Sequence, residues 1–368
     1  MRASLLLAFL LPAACSGGGS SDGASSDLHE DAGADAGVDA SPPPAQLDAG
    51  APDGGLAFPA CLGDTRPLVF DRGLPFTPVS VGAAPSPYAG AFLVDFATTR
   101  SAIDLGAFAA PGPTASNCDP SMLGQSCGFA DLDFFGAWGP VTLVTENFAG
   151  GTPRQAGIVG TDFLAVHVFT LDWKHSQIRR ATKATRCADA SLSAFASLDA
   201  SGFFANDAAT LKPLSDVDAQ AAAGLHVPNV PTVPIAVAGA TAVVQLDTGF
   251  LDSVVPHSVN VNVAFFDAID PNALVRDAAR DTSLTTCAGV AESVEAYRLA
   301  PGSAVALGPR SWSDATIFVK RTPDAAKSCG GIGTWTAPAA QIGVSFFVDL
   351  GVVVFDPFAS RVWIPKSG

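Results

Sequence analysis

The chain has 368 residues and carries 35 Asp and Glu against 20 Lys and Arg, a formal net charge of −15. Hydrophobic residues make up 48% of it, too many for a wholly disordered chain, and the acidic balance disfavours a nucleic-acid partner.

Residues 1–15 read as an export signal. Arg2 supplies a positive start, Leu5 to Leu11 a short apolar run, and Pro12-Ala13-Ala14 small residues ahead of Cys15. The run is well short of the ~20 apolar residues that span a bilayer. An ordinary signal peptide, in which Cys15 has no special role, fits these features. They also resemble the bacterial lipobox, with Leu11 one place further from the cysteine than in that pattern. The resemblance implies that Cys15 is lipidated and becomes the mature N-terminus. Ser16, rather than Asp, after the cysteine implies the outer membrane or cell surface. Residues 16–57 hold almost no large apolar side chain and eight acidic residues without a Lys or Arg. Such a segment cannot bury enough surface to offset its backbone entropy and is expected to be a disordered acidic tether. The signal adds one positive charge, so only about half of the net charge belongs to the body.

From residue 58 onward about 310 residues remain, enough for one large or two medium domains. Apart from Cys15 the cysteines are Cys61, Cys118, Cys127, Cys187, Cys287 and Cys329, an even six in an exported chain. Fifteen pairings are open, and chain order favours Cys61 with Cys187, Cys118 with Cys127, and Cys287 with Cys329. Between 58 and 190, apolar runs such as Phe92 to Val94, Val141 to Val144 and Val168 to Leu171 are broken by Gly and Pro, the texture of an all-β domain. Residues 191–215 read as a crossover and 216–368 as a second β lobe. Helices are expected from Val217 to Ala223, with Gly224 as its stop, and from Pro271 to about Arg280 under an Asp270 cap. The acidic cluster Asp267, Asp270, Asp277 and Asp281 reads as the solvated face and cap of that second helix.

The two halves repeat a pattern. A-F-L-V-D-F-A-T-T-R-S-A-I (Ala91 to Ile103) aligns with V-V-Q-L-D-T-G-F-L-D-S-V-V (Val243 to Val255), matching Asp95 to Asp247 and Ser101 to Ser253. Further on, Gly160 matches Gly343, Phe163 matches Phe346, and Asp172 matches Asp356, with Ser176 and Ser360 four residues after those aspartates. Two landmarks in the same order in both halves point to an internal duplication. Asp172 and Asp356 read as turn residues that cap backbone amides.

Taken together, these motifs resemble the pepsin-like aspartic peptidases over roughly residues 60 to 368. The resemblance implies two pseudo-twofold-related β lobes of closed-barrel type. In each, a strand leads to Asp-Thr/Ser-Gly, and a later apolar-apolar-Gly segment crosses that loop ahead of a short helix. Ile158-Val159-Gly160 and Gln341-Ile342-Gly343 fill the crossing position, and T-D-F-L-A-V and V-S-F-F-V-D-L the helices.

The implied activity is endopeptidase hydrolysis by Asp95 and Asp247 with water as nucleophile. Like charges a few ångströms apart cannot both ionise easily, so one carboxylate can take a proton while the other gives one. Thr98, Thr248 and Gly249 are the expected loop supports. The motif is divided between the copies: Asp247 has Thr248 and Gly249 but carries Phe250 where a supporting hydroxyl is expected. Asp95 keeps Thr98 but has Phe96 and Ala97 in place of Thr and Gly. The only tyrosines are Tyr88 and Tyr297, so Phe134, Phe135 or Trp138 is left to cover the cleft. The implied partner is an extended polypeptide, met by a monomer that reaches the membrane through its lipid anchor alone. No cofactor or metal is implied, since the five histidines lack ligand spacing and no nucleophile-elbow or phosphate-loop motif occurs. Two other readings stand beside it: a pseudopeptidase binding peptide in the same cleft without cutting, and an unrelated β-rich adhesion or sugar-binding lipoprotein.

Overall fold

Alternation along the strand Leu74–Val81 sends Phe76, Val79 and Val81 inward, and its antiparallel partner Tyr88–Val94 answers with Phe92 and Val94. In this computed structural model the described residues are 59–83, 85–148, 150–200, 230–251, 256–286, 289–329 and 331–366. They are mostly β-structure, arranged in three sheets.

The first sheet has eight strands and draws only on residues 69 to 159, and the second has ten and draws on 232 to 342. Six strands of one repeat six of the other. In the first the order is Leu74–Val81, Tyr88–Val94, Gln155–Val159, Ala102–Ile103, Val141–Thr145, Ser126–Phe129. In the second it is Thr232–Val237, Ala240–Leu246, Ala339–Ile342, Ser258–Asn262, Thr316–Lys320, Ala291–Leu299. The five successive pairings alternate antiparallel and parallel in the same sequence in both. A short helix follows each crossing glycine, Thr161–Leu164 after Gly160 and Val344–Leu350 after Gly343.

The third sheet takes strands from the start of the body, from its middle and from its end, in the order Asp64–Pro67, Gln177–Ala181, Val168–Asp172, Val352–Asp356, Arg361–Pro365, Phe195–Asp199. Its two central hairpins face each other antiparallel and share a turn design. Asp172 accepts from the His175 amide, and Asp356 from those of Phe358 and Ala359, as the sequence pattern predicts. Ser176 and Ser360 both adopt positive φ, 54° and 50°, and their carbonyls accept from Leu68 and Ala200 at 2.8 Å.

One large apolar cluster draws on all three sheets, including Phe92, Phe96, Phe169, Val244, Phe346 and Phe355. Trp312, Trp335 and Trp363 are buried. The closed barrels implied by the resemblance are not found: each large sheet is open, ending at Val69–Asp71 and Ser126–Phe129 in one and Leu274–Arg276 and Arg310–Trp312 in the other. The third sheet contributes residues to the same core, so apolar faces are buried without either sheet curling onto itself.

The helix expected over 271–280 is also replaced. Asp270 does cap, accepting from the Asn272 amide at 2.9 Å, but only a 3₁₀ turn Pro271–Ala273 follows. Leu274–Arg276 then leaves the helical path to pair with the strand Ala291–Leu299, and a second turn covers Ala278–Arg280. The acidic cluster is therefore no helix face. Asp281 binds Arg276, and Asp277 binds Arg280 and Arg298.

Cys61 pairs with Cys187 and Cys118 with Cys127. Of the crossover expected over 191–215, the stretch up to Ala200 contains the strand Phe195–Asp199, which pairs with Arg361–Pro365. The signal, Cys15, the tether, residues 201–215, the helix expected over 217–223, Ser253 and the Cys287–Cys329 pairing lie outside the described residues and side chains. Among the described residues no helix is long and apolar enough to cross a membrane.

Candidate active site

Asp95 and Asp247 follow directly on equivalent strands of the repeat, at the ends of Tyr88–Val94 and Ala240–Leu246. Each strand lies parallel to its crossing strand, and that pairing carries one residue past the strand end. The Asp95 amide donates to Val159 O and the Asp247 amide to Ile342 O, both at 3.0 Å. Beyond the aspartates the turns match again. Ala97 N donates to Asp95 Oδ1 at 2.8 Å, and Gly249 N to Asp247 Oδ1 at 2.9 Å. Thr161 N donates to Thr98 O at 2.8 Å, and Val344 N to Phe250 O at 2.9 Å.

The two loops meet. A Cβ placed on Gly249 would sit 2.7 Å from Asp95 Oδ2, so a larger residue there would collide with the other loop's carboxylate. Thr248, fully buried, donates its hydroxyl to Val94 O at 2.7 Å and accepts from the Phe96 amide at 3.0 Å. One threonine thus bonds across the junction to backbone on both sides of Asp95.

No matching hydroxyl comes back from the first loop, because Phe96 occupies that place. Its ring turns away from the carboxylates and stacks on Phe355 of the third sheet, centroids 3.8 Å apart and planes 13° apart. Phe134 and Phe135 pack on Phe169 in the same region, and Trp138 packs on Phe163 and His167. Phe134 and Phe135 are core residues, which takes both from the covering role expected of one of the three, while Trp138 is half-buried. Phe134 and Phe135 turn inward because Phe169 of the third sheet offers both rings an aromatic partner.

Both carboxyls are buried, at 5% and 6% exposure. Burial pushes Asp95 up, against the hydroxyl of Thr98, which donates to its Oδ2, and the amides of Ala97, Thr98 and Gly249. Burial also pushes Asp247 well above the ordinary carboxylate range, and the charge of Asp95 adds to it. The two acids interact strongly enough that their protons belong to the pair. Asp95 has the fuller set of donors, so ionisation is favoured there and the proton on Asp247. Such a pair can remove a proton from one group and deliver one to another at a single locus.

Thr98, Thr248 and Gly249 are therefore all at the junction. One partner escapes the sequence pattern. Gln341 Nε2 donates to Asp247 Oδ2, and its Oε1 accepts from Asn260 Nδ2 at 3.1 Å. The available signal was a polar residue in Q-I-G where the first copy has I-V-G, in a copy whose aspartate lacks its hydroxyl. Asp162, on the first of the short helices, accepts from Ser101 Oγ at 2.7 Å and Ser101 N at 2.9 Å, while Ser101 Oγ accepts from Gly160 N at 2.8 Å. This ties the loop after Asp95 to its crossing strand, and burial pushes the Asp162 carboxyl up to about 6.

Among the described residues no three His, Cys, Asp or Glu side chains are grouped to hold a metal ion. The sequence matches no protein-family model, and a comparison with curated proteins finds no match.

Proposed function

We propose that this protein is an exported, lipid-tethered aspartic endopeptidase of pepsin-like, two-lobed architecture, acting as a monomer on extended polypeptide between its lobes. The observation that carries the reading is the meeting of Asp95 and Asp247 at equivalent positions of two sheets with the same strand order and sense. Their burial side by side, with Gly249 against the Asp95 carboxylate and Thr248 bonded across the junction, is what a shared-proton pair needs.

In this mechanism Asp95 is the ionised member and takes a proton from an attacking water. Asp247 carries the proton and gives it to the carbonyl oxygen of the scissile peptide, so a neutral tetrahedral gem-diol forms. Collapse returns a proton to the leaving nitrogen and breaks the C–N bond. Thr98 and Gln341 each donate to Oδ2 of one aspartate while the amides of Ala97 and Gly249 donate to Oδ1, which fixes the orientation of both carboxyls.

The test is cleavage of an unfolded protein by the full chain between about pH 3 and 7, beside Asp95→Asn, Asp247→Asn and a pepstatin-type inhibitor. Cleavage lost in both variants and blocked by the inhibitor is the expected result. A folded wild type that cuts at no pH would overturn the reading and leave a cleft that holds peptide without cutting it.

A further inference from the structure

The two aspartates are supported unequally by their own loops. Asp95 has Thr98 three places on, and its hydroxyl donates to Asp95 Oδ2. The equivalent position after Asp247 is Phe250, which has no side-chain donor, although its carbonyl accepts from Val344 N as that of Thr98 does from Thr161 N. Left at that, Asp247 Oδ2 would be a buried carboxyl oxygen with no side-chain donor from its own loop.

Gln341 supplies one from a different element. It lies on the crossing strand Ala339–Ile342, between the strand that carries Asp247 and the strand Ser258–Asn262. Its backbone register opposes Gln245 on one side and Asn260 on the other. From there Nε2 reaches Asp247 Oδ2 while Oε1 is held by Asn260, itself 5% exposed. An amide whose oxygen is already taken has one orientation left to offer, with its N–H groups toward the carboxyl.

We propose that Gln341, anchored by Asn260, is the positioning residue for Asp247, doing from the crossing strand what the Thr98 hydroxyl does for Asp95 from within its own loop. The proposal rests on the peptidase reading for its effect on rate, but the hydrogen bond it describes can be tested without any activity. A donor to the carboxylate favours the ionised form, and the opposing charge acting on Asp247 is that of Asp95. Removing the donor therefore raises the pH at which Asp247 ionises.

The experiment uses the full chain with 13C-labelled aspartate carboxyls, the Asp247 resonance being assigned by its absence in Asp247→Asn. Gln341→Leu is expected to move the Asp247 midpoint up by about one pH unit. Asn260→Ala, which keeps the amide but frees it, moves it the same way by less. Phe250→Thr in the Gln341→Leu background restores a hydroxyl three places after the aspartate and brings the midpoint back down, an outcome that mere damage to the core does not produce. Alongside, Gln341→Leu lowers kcat by about tenfold or more with KM little changed, and the alkaline limb of the rate profile moves up with the midpoint. An unmoved midpoint in Gln341→Leu overturns the proposal, as does a double variant that fails to recover. A wild type with no cleavage overturns the peptidase reading alone, since the titration still decides whether Gln341 governs Asp247.

Discussion

Thr248 bears more of the junction between the two loops than any other side chain, and replacing it by valine isolates what its hydroxyl does. Valine keeps the shape, so no cavity opens, but the bond to Val94 O at 2.7 Å and the bond from the Phe96 amide at 3.0 Å both disappear. Each buried hydrogen bond is worth about 0.5–1.5 kcal/mol net, and the site is fully buried, so Thr248→Val should cost about 1–3 kcal/mol. Thr248→Ser keeps the hydroxyl and loses only a methyl, and should fall well short of that. Urea denaturation of both variants and the wild type gives the comparison through the midpoint at constant slope. The same two bonds fix the distance between Asp95 and Asp247, so cleavage should fall further in the valine variant than the loss of folded protein explains. A valine variant within about 0.5 kcal/mol of wild type, or a serine variant equally destabilised, would refute a junction held by this hydroxyl.

Two more outcomes follow from the same geometry. Phe96→Thr restores the residue that the peptidase resemblance expects, yet it removes a ring with no exposed surface from its stack on Phe355. It should lower stability by about 3–5 kcal/mol, read as a drop in denaturant midpoint. The Asp162 carboxyl is pushed up to about 6 from an ordinary 3.8, so between those values the folded protein holds a proton that the unfolded chain has lost. Its contribution to stability is therefore full below the lower value and declines as pH rises through the upper one. Asp162→Asn should flatten the change in denaturant midpoint between about pH 4 and 7, and a variant that keeps the wild-type slope would remove Asp162 as its source.

The β texture, the two strand-to-aspartate turns, the crossing glycines with their short helices and the capped Asp172 and Asp356 turns were all legible because each leaves a local signature. Apolar runs end at a polar turn, and the turns recur in order. Two of the three disulfides that chain order favours are present among the described residues, and both lie within one half. What was not legible depends on partners far away in sequence. Nothing local predicts that Leu274–Arg276 prefers strand pairing over helix; the decision is made by the strand Ala291–Leu299. The openness of the sheets is likewise set by a third sheet assembled from the start, the middle and the end of the body. Gln341 is 94 residues from Asp247, so its role could be seen only once the crossing strand lay beside the turn.

Phe96 and Phe250 look in the sequence like two independent losses, and the structure joins each to a replacement. Where the first loop lacks a hydroxyl to return across the junction, the ring of Phe96 binds the loop to the third sheet through Phe355, and the Thr248 hydroxyl makes a polar crossing from the second loop. Where the second loop lacks a hydroxyl for its aspartate, an amide arrives from the crossing strand with its own anchor. A position that has acquired a compensating partner no longer contributes independently of it. The departures are therefore not evidence of decay taken one at a time. A decayed site would leave buried carboxyl oxygens without donors, whereas Asp95 and Asp247 each retain at least one backbone amide and one side-chain donor. The carboxylate pair is kept equipped while the chain's means of equipping it differ between the halves, and that is the strongest structural reason to expect chemistry at this junction.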